Sequence, residues 1–274
     1  MDSEYRSDDA SGDRREKALW LVGICIVLAL LLFFFLPGIE PARSRRRHPC
    51  TSNLRRIGAA MHTYHDEFGT FPPAYVADEN GVPMHSWRVL LLPYLEEEGY
   101  HRLYEKYRFD EPWNGPNNRK LADVAFPPFH CPSSEREGCC TNYVAIVGPE
   151  TVWPGTATRS VTQITDGTSE TVLVAEFNDS DIHWMEPRDL TFNEACRGIN
   201  GSETPGISSP HGNGTNLLFC DMSVHFVTDD LPHDTLRALL TADGGEPLER
   251  DDRGEWVISV RDEDPDPARE DEQP

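Results

Sequence analysis

The segment CTSNLRRIGAAMHTYHDEFGTFPPA, residues 50–74, predicts the helix around which the rest of the chain is arranged. Its apolar side chains recur at helical spacing and define one face: Leu54, Ile57, Met61, Tyr64 or His65, and Phe68. Thr51 or Ser52 is the predicted N-cap, and Gly69 is the predicted stop. An amphipathic helix buries its apolar face against another element, so we expect this one to pack on a β-sheet.

The strands of that sheet are predicted further along the chain. Short apolar runs, separated by Gly, Pro and Asp, occupy residues 142–147, 161–164, 171–177, 216–220 and 223–227. Only Asp221 and Met222 separate the last two runs, which predicts a tight antiparallel hairpin. Residues 87–107 predict a second helical region that Pro93 divides, and residues 234–240 predict a short closing helix. The expected fold class is α+β.

Residues 18–36, ALWLVGICIVLALLLFFFL, predict a transmembrane helix. The segment carries no charge, and as a helix it would span roughly 28 Å, close to the hydrocarbon thickness of a bilayer. A cleaved signal peptide is the alternative, but the apolar region is longer than usual and no small-x-small cleavage site follows it. We favour an uncleaved anchor, with the lipid bilayer as its partner.

The organisation expected along the chain has five parts. They are a disordered polar tail (1–17), the transmembrane helix (18–36), a linker rich in Pro and Arg (37–49), a globular domain (50–248) and an acidic, mostly disordered tail (249–274). An apolar island at 256–260 is a candidate edge strand within that last tail. The net charge of −22 disfavours a nucleic acid partner, because a polyanion would be repelled.

Six cysteines lie outside the predicted span: Cys50, Cys131, Cys139, Cys140, Cys196 and Cys220. An even count is compatible with an oxidising compartment. Fifteen pairings exist, and a disulfide between Cys50 and Cys131 is one candidate; buried free thiols are the alternative. Zinc is disfavoured because the chain has no C-x-x-C pair. Basic residues flank the span on both sides, which leaves its orientation tied or even favours a cytoplasmic C-terminal domain. The cysteines favour the opposite orientation, with a periplasmic domain on the cell inner membrane.

Several ordered blocks of sequence resemble a bacterial prepilin-like family of unknown function, sometimes labelled solute-binding. The blocks are residues 50–74, 86–96, 109–121, 129–134, 142–148 and 164–176. A C-terminal signature follows, in which the family has His, nine residues, then Asp-Gly; here it reads His211, GNGTNLLFC, Asp221. The resemblance implies a pseudopilin-like domain, with a helix packed on an antiparallel sheet, over roughly residues 50–248.

Two departures from the family pattern affect what the resemblance implies. The usual prepilin leader is absent, and a generic anchor with a Pro-rich linker stands in its place, so we expect this protein not to polymerise like a pilin. Met222 stands where the family has Gly. A primed hairpin turn requires positive φ at that position, which costs a residue with a side chain roughly 1–2 kcal/mol.

Three groups of residues are candidates for chemistry. His62 and His65 would share one helix side with Asp66, as metal ligands can, although a half-buried helix face is the favoured interpretation. Asp110 and Asn114 are calcium candidates.

The calcium candidates lie in an oxygen-rich loop with Glu111 and Asn117, similar to a loop of type II secretion pseudopilins. An ordinary turn around a buried Trp113 is the favoured alternative.

His211 and Asp221 could form a catalytic pair, but structural roles at a strand start and a hairpin are favoured. The chain has no G-x-S-x-G motif and no Gly-rich phosphate loop.

The sequence therefore favours a membrane-anchored, pseudopilin-like envelope protein with a structural or interaction role, no enzymatic activity and no cofactor. The expected partner, besides the bilayer, is an envelope protein or a glycan. The alternative is an extracytoplasmic solute- or glycan-binding module that uses exposed aromatic side chains, expected among Trp87, Trp113, Trp153 and Trp184. A metal-dependent enzyme using His62, His65 or His211 is the least favoured hypothesis.

Overall fold

The computed structural model describes Leu19, Trp20, Ile24 and residues 42–123, 127–134, 136, 138–202 and 205–259. Two compact units, Met1–Arg45 and Arg46–Pro274, make up the chain. Within the described residues, no helix is both long enough and apolar enough to cross a membrane. Apart from three positions, the predicted span at 18–36 lies outside those residues, as do the predicted tail at 1–17 and residues 260–274.

The described elements are one long helix, several shorter helices and a set of short strands. The helices are α1 (Ala42–Phe68), α2 (Trp87–Leu90), α3 (Glu98–Lys106), α4 (Phe192–Ala195) and α5 (His233–Leu240). The strands are β1 (Tyr75–Ala77), β2 (Pro83–Ser86), β3 (Tyr143–Val144), β4 (Ile146–Val147), β5 (Val172–Glu176), β6 (Leu190–Thr191), β7 (Gly214–Phe219), β8 (Val224–Thr228), β9 (Leu248–Arg250) and β10 (Trp256–Ile258).

Helix α1 buries much of the face that the sequence predicts. Leu54, Ile57 and Met61 are fully buried. The helix ends at Gly69, whose φ of +77° and N–H bond to the His65 carbonyl oxygen (2.7 Å) form a left-handed stop. The prediction that Phe68 lies on the buried face is wrong, because this residue is 55% exposed.

The start of α1 differs from the prediction. The helix begins at Ala42, within the predicted linker, so Thr51 and Ser52 lie inside it and neither is its N-cap. Residues 42–47 are mostly Ala and Arg, which favour helix. Pro49 lies within the helix; a proline removes one backbone donor and bends a helix without preventing helical structure on both sides.

The main sheet has four strands in the order β3-β5-β7-β8, all antiparallel. This confirms the expected antiparallel sheet in an α+β fold. The strand predicted at 161–164 is wrong, because Val161–Gln163 is a 3₁₀ turn. Ser160 and Gln163 form a reciprocal capping box around that turn, which satisfies its backbone donors locally.

Three further strand pairs lie outside the main sheet. β1 pairs with β2 and β9 pairs with β10 as antiparallel hairpins, whereas β4 pairs with β6 in parallel. The β9–β10 hairpin lies at the start of the predicted tail at 249–274, and β10 falls within the apolar island at 256–260 that predicts an edge strand; Trp256 is only 4% exposed. Its apolar ring packs flat on Phe219 of β7, with ring centroids 4.8 Å apart.

The main sheet lies between two hydrophobic cores. Leu218 of β7 belongs to the core that contains the buried face of α1, and its neighbour Leu217 belongs to the core that contains α5. Gly58 of α1 faces the sheet so closely that a Cβ there would stand 3.0 Å from the Leu218 side chain. The expected packing of a helix on an antiparallel sheet is thus confirmed.

The β7–β8 connection is wider than the predicted two-residue turn. β7 ends at Phe219, whose carbonyl oxygen accepts from the Met222 N–H (3.1 Å) while its own N–H donates to the Ser223 carbonyl oxygen (2.9 Å). Met222 has φ of +70°. This is the arrangement of a three-residue hairpin loop with a left-handed residue at its end, in which Cys220 joins the loop.

Candidate functional site

The two signature residues lie at opposite ends of β7. His211 precedes the strand and is 3% exposed, whereas Asp221 lies in the exposed turn that follows it. Asp221 accepts a hydrogen bond from the Ser223 N–H (2.8 Å), and its own N–H donates to the Thr168 carbonyl oxygen (3.0 Å). The structure therefore does not bring His211 and Asp221 together as a catalytic pair.

His211 instead meets Glu176, which ends β5 and is 1% exposed. The distance from His211 Nε2 to Glu176 Oε1 is 3.6 Å. The same carboxylate accepts from the backbone N–H of Asn216 (2.8 Å) and from its side-chain amide (3.1 Å), and Thr215 Oγ1 lies 3.3 Å away. A buried carboxylate needs such donors, because removing it from water without them is costly.

A disulfide between Cys50 and Cys131 closes the other side of this cluster. Cys131 Sγ lies 3.9 Å from His211 Nε2, and the Cys131 backbone N–H donates to Asn142 Oδ1 (2.9 Å). Cys50 belongs to α1, so the disulfide joins that helix to the segment preceding the main sheet. We name Cys50, Cys131, Glu176 and His211 the buried cluster.

The Glu176 carboxylate of the buried cluster also affects Tyr143, which lies opposite it in the β3–β5 strand pair. Burial raises the pKa of Tyr143 well above its ordinary value, and the negative charge of Glu176 raises it further. The phenol therefore stays protonated and donates to the Cys50 carbonyl oxygen (3.4 Å). These groups hold the cluster in place, and their burial keeps bulk water away from it.

The remaining described cysteines, Cys139, Cys140, Cys196 and Cys220, are free thiols. Burial raises the pKa of Cys139 and Cys196 and raises that of Cys220 strongly. A raised pKa lowers the thiolate fraction, and the thiolate is the nucleophile. These three thiols are therefore poor candidates for covalent catalysis.

The other predicted metal candidates make separate contacts. His62 Nε2 donates to the Cys220 carbonyl oxygen (2.8 Å), and His65 Nε2 accepts from the Val161 N–H (3.2 Å). Each ring thus holds a different backbone segment against α1. Asp66, the third member of that group, is exposed. These contacts are those of a half-buried helix face.

The predicted calcium loop is closed by its own hydrogen bonds. Asp110 and Asn114 are exposed, while Glu111 accepts from the backbone N–H groups of Asn117 (2.7 Å) and Asn118 (2.6 Å). These bonds use lone pairs of Glu111 that a cation would need. A calcium site at Asp110 and Asn114 stays a prediction.

The exposed tryptophans expected of a glycan-binding surface are not found at three of the four positions. Trp87, Trp153 and Trp184 are each at most 1% exposed. Their large apolar rings fill the core because burying them removes the most apolar area from water. Trp113 is half-buried and stacks on His183, with ring centroids 5.2 Å apart.

Two buried charged features, one carboxylate and one ion pair, have no clear signal in the sequence. Glu176 is one, and its signal was a lone acidic residue at the end of an apolar strand, VLVAE. The other is the ion pair of Arg88 with Asp189, whose side chains are 0% and 2% exposed. The partners are 101 residues apart in sequence, and no local pattern links them.

One surface cleft lies between β8 and the β9–β10 hairpin, with a volume of about 400 Å³. His225, Arg250, Arg253 and Trp256 are among its lining residues. The Arg250 guanidinium stands 3.6 Å from the centroid of the Trp256 ring and donates to His225 Nε2 (3.1 Å). Asp230 and Glu255 also line the cleft, so it carries carboxylates as well as cationic and aromatic groups.

Part of the chain matches the model of a known protein family. Residues 41–158 match the family SBP_bac_10, described as "Protein of unknown function (DUF1559)". The matched region runs through α1, β3 and β4 and ends before β5, so His211 and Asp221 lie beyond it. No curated protein and no solved structure matches the chain. The prepilin-like signature at these two residues stays a prediction.

Proposed function

We propose that this chain, whose residues 41–158 match a family of unknown function, is a membrane-anchored, pseudopilin-like protein of the bacterial envelope. Residues 18–36 anchor it in the inner membrane, and the folded domain stands in the periplasm. Its role is to provide a structural or interaction surface, with an envelope protein or a glycan as the partner. It performs no catalysis and carries no cofactor.

The observation that carries this proposal is the buried disulfide of Cys50 and Cys131, which joins residues 81 apart. Disulfides persist in oxidising compartments and are rare in the bacterial cytosol. A bridge in the core, between the main helix and the segment before the sheet, favours a domain that matures outside the cytoplasm.

The burial of the signature histidine supports the non-catalytic part of the proposal. A catalytic group must touch its substrate, and His211 and Glu176 are 3% and 1% exposed. Glu176 also accepts hydrogen bonds from Asn216 and Thr215. Its polar atoms thus serve the packing of β5 against β7.

The test is the accessibility of the domain and its thiols in intact cells and in spheroplasts. We expect protease to cleave the domain only after the outer membrane is opened. Denatured wild-type protein should also gain two reactive thiols on reduction. A Cys50→Ser/Cys131→Ser variant is the matched control, and it should gain none. Protection in spheroplasts together with free Cys50 and Cys131 would place the domain in the cytoplasm and refute the proposal.

A second candidate function, an extracytoplasmic solute-binding module, is favoured by the cleft beside Trp256. Arg250 and Arg253 place cationic groups there, beside the carboxylates of Asp230 and Glu255. Such a cleft suits a small sugar acid, whose carboxylate the arginines would hold by charge-assisted hydrogen bonds and whose hydroxyl groups can donate to Asp230 and Glu255.

Glucuronate, with glucose as its uncharged counterpart, tests this second candidate in the full chain. We expect glucuronate to raise the unfolding temperature and glucose to leave it unchanged. Arg253→Gln should abolish the shift, whereas Arg188→Gln, a surface change outside the cleft, should preserve it. Equal shifts in both variants, or no shift in the wild type, would count against a solute site here.

A further inference from the structure

The buried cluster brings together four side chains from four separate segments. Cys50 comes from α1, Cys131 from the segment before β3, Glu176 from the end of β5 and His211 from the segment before β7. One donor atom from each lies within 4.8 Å of the others, and each residue is at most 3% exposed. Among the described residues, the ligand atoms of these four side chains converge closely enough to hold a metal ion.

The donor set is one that zinc prefers. Thiolate sulfur, imidazole nitrogen and carboxylate oxygen are its usual protein ligands, and four of them complete a tetrahedral structural site. Ligand atoms on one tetrahedral zinc stand roughly 3.3–3.8 Å apart. His211 Nε2 lies 3.6 Å from Glu176 Oε1 and 3.9 Å from Cys131 Sγ, close to that spacing.

The bond between the two sulfurs prevents zinc binding in the oxidised protein. A disulfide holds its sulfurs about 2.0 Å apart, whereas two thiolates on one zinc stand roughly 3.7 Å apart. Disulfide sulfur is also a poor ligand, because the metal binds the thiolate. Reduction removes both obstacles, since it frees the sulfurs to separate and to ionise.

We propose that reduction converts the buried cluster into a zinc site with Cys50, Cys131, Glu176 and His211 as ligands, so that the disulfide and zinc exclude each other. A dithiol reductant supplies two electrons and two protons, the S–S bond breaks, two thiols form and the reductant becomes a disulfide. Both thiols then release their protons as Zn²⁺ binds. Oxidation by a disulfide donor reverses the sequence and expels the metal.

Neighbouring groups are placed to support the metal-bound form. Asn216 donates to Glu176 from its backbone (2.8 Å) and from its side chain (3.1 Å). Such partners orient a carboxylate ligand and disperse its charge. The inference goes beyond the proposed function, because it assigns a state to the chain in a reducing environment, where the bridge is open.

The experiment uses the full chain in a nonionic detergent, oxidised or reduced with a phosphine, with ZnCl₂ or CoCl₂ as the probe. After desalting, we expect about one zinc per reduced chain and none per oxidised chain. Cobalt should give the intense visible bands of a tetrahedral thiolate site in the reduced chain alone. Zinc should also slow alkylation of Cys50 and Cys131 at least tenfold, as read by peptide mapping.

Matched variants separate this site from the other cysteines. Cys139→Ser/Cys140→Ser/Cys196→Ser should keep the stoichiometric zinc and the cobalt bands. His211→Gln, which keeps a polar side chain in the cavity, should lower zinc affinity at least tenfold. Asn216→Ala supplies a milder second variant and should lower it about tenfold.

Three results would overturn the proposal. The first is equal zinc in the oxidised and reduced chains, and the second is full zinc binding by a Cys131→Ser variant. The third is a reduced wild-type chain that binds no zinc, whether it stays folded or unfolds. None of these results decides the proposed envelope function, which depends on the location of the oxidised domain in cells.

Discussion

Met222 adopts a backbone conformation that its side chain disfavours. Its φ of +70° closes the β7–β8 loop, while its side chain is 44% exposed and contributes little packing. Glycine adopts this conformation without steric cost. We expect Met222→Gly to raise the free energy of unfolding by about 1 kcal/mol. Urea denaturation of the full chain measures it; Met222→Ala, which keeps a Cβ, should bring no gain, and equal gains would refute the explanation.

The ion pair of Arg88 with Asp189 is buried, and each partner also binds backbone. Arg88 Nη2 donates to the Tyr143 carbonyl oxygen (2.9 Å), and Asp189 Oδ1 accepts from the Ala145 N–H (2.8 Å). Burial lowers the pKa of Arg88 and raises that of Asp189, and the attraction between them opposes both shifts. Removing one partner would leave an uncompensated buried charge.

We expect Arg88→Met to lower the free energy of unfolding by about 3–5 kcal/mol. Arg88→Met/Asp189→Leu should recover part of that loss, because no charge is left unpaired. The control is Arg188→Met, which breaks a surface pair with Asp181 and should cost less than about 1 kcal/mol. Similar losses at Arg88 and Arg188 in chemical denaturation would contradict this account.

His85 makes part of the stability dependent on pH. Burial lowers its pKa, although its bond to the Phe109 carbonyl oxygen (3.2 Å) partly opposes the shift. Since the unfolded chain then binds the proton more tightly, stability is present above the ordinary pKa of about 6.5 and is lost as pH falls toward the lowered value. His183 shifts in the same direction.

We therefore expect the free energy of unfolding to fall between pH 7.5 and pH 5.5, and His85→Gln to make that fall smaller. Urea denaturation at the two pH values measures the difference for the wild type and the variant. A variant with an unchanged pH dependence would show that His85 does not contribute.

At the scale of elements, an aromatic stack helps to hold the β9–β10 hairpin on the main sheet. Trp256 lies flat on Phe219, with an interplanar angle of 7°, and Arg250 covers its other side. The neighbouring Val257 points outward and is 39% exposed. The hairpin thus covers the core beside α5.

We expect Trp256→Ala to lower the free energy of unfolding by about 3–5 kcal/mol, because the ring is buried. Val257→Ala should change it by less than about 0.5 kcal/mol. Hydrogen exchange of the β9 and β10 amides gives a second measurement, and we expect it to accelerate in Trp256→Ala alone. Equal behaviour of the two variants would argue against a docked hairpin.

At the scale of the whole molecule, the net charge of −22 opposes the compact state. Salt screens this repulsion, with a Debye length of about 10 Å at 0.1 M. We expect the unfolding temperature of the full chain in nonionic detergent to rise between 20 and 200 mM NaCl. KCl should act equally, since the effect depends on ionic strength. A constant or falling temperature would mean that local ion pairs outweigh the general repulsion.

Features set by neighbouring residues were readable from the sequence. The buried face of α1, its end at Gly69 and the division of the second helical region at Pro93 all follow from helical periodicity and from the backbone preferences of Gly and Pro. The antiparallel strands β5, β7 and β8 follow from apolar runs bounded by turn residues. Each of these signals extends over only a few residues.

Contacts between distant segments became visible only in the folded chain. Sequence allowed fifteen cysteine pairings, could not link Arg88 to Asp189, and placed Trp87 among the expected surface aromatics. It also could not show that β7 separates His211 from Asp221, or that His211 meets Glu176. The physical reason is that periodicity and propensity report free energies of local segments, whereas burial of a charge, a thiol or an indole depends on which remote surfaces pack together.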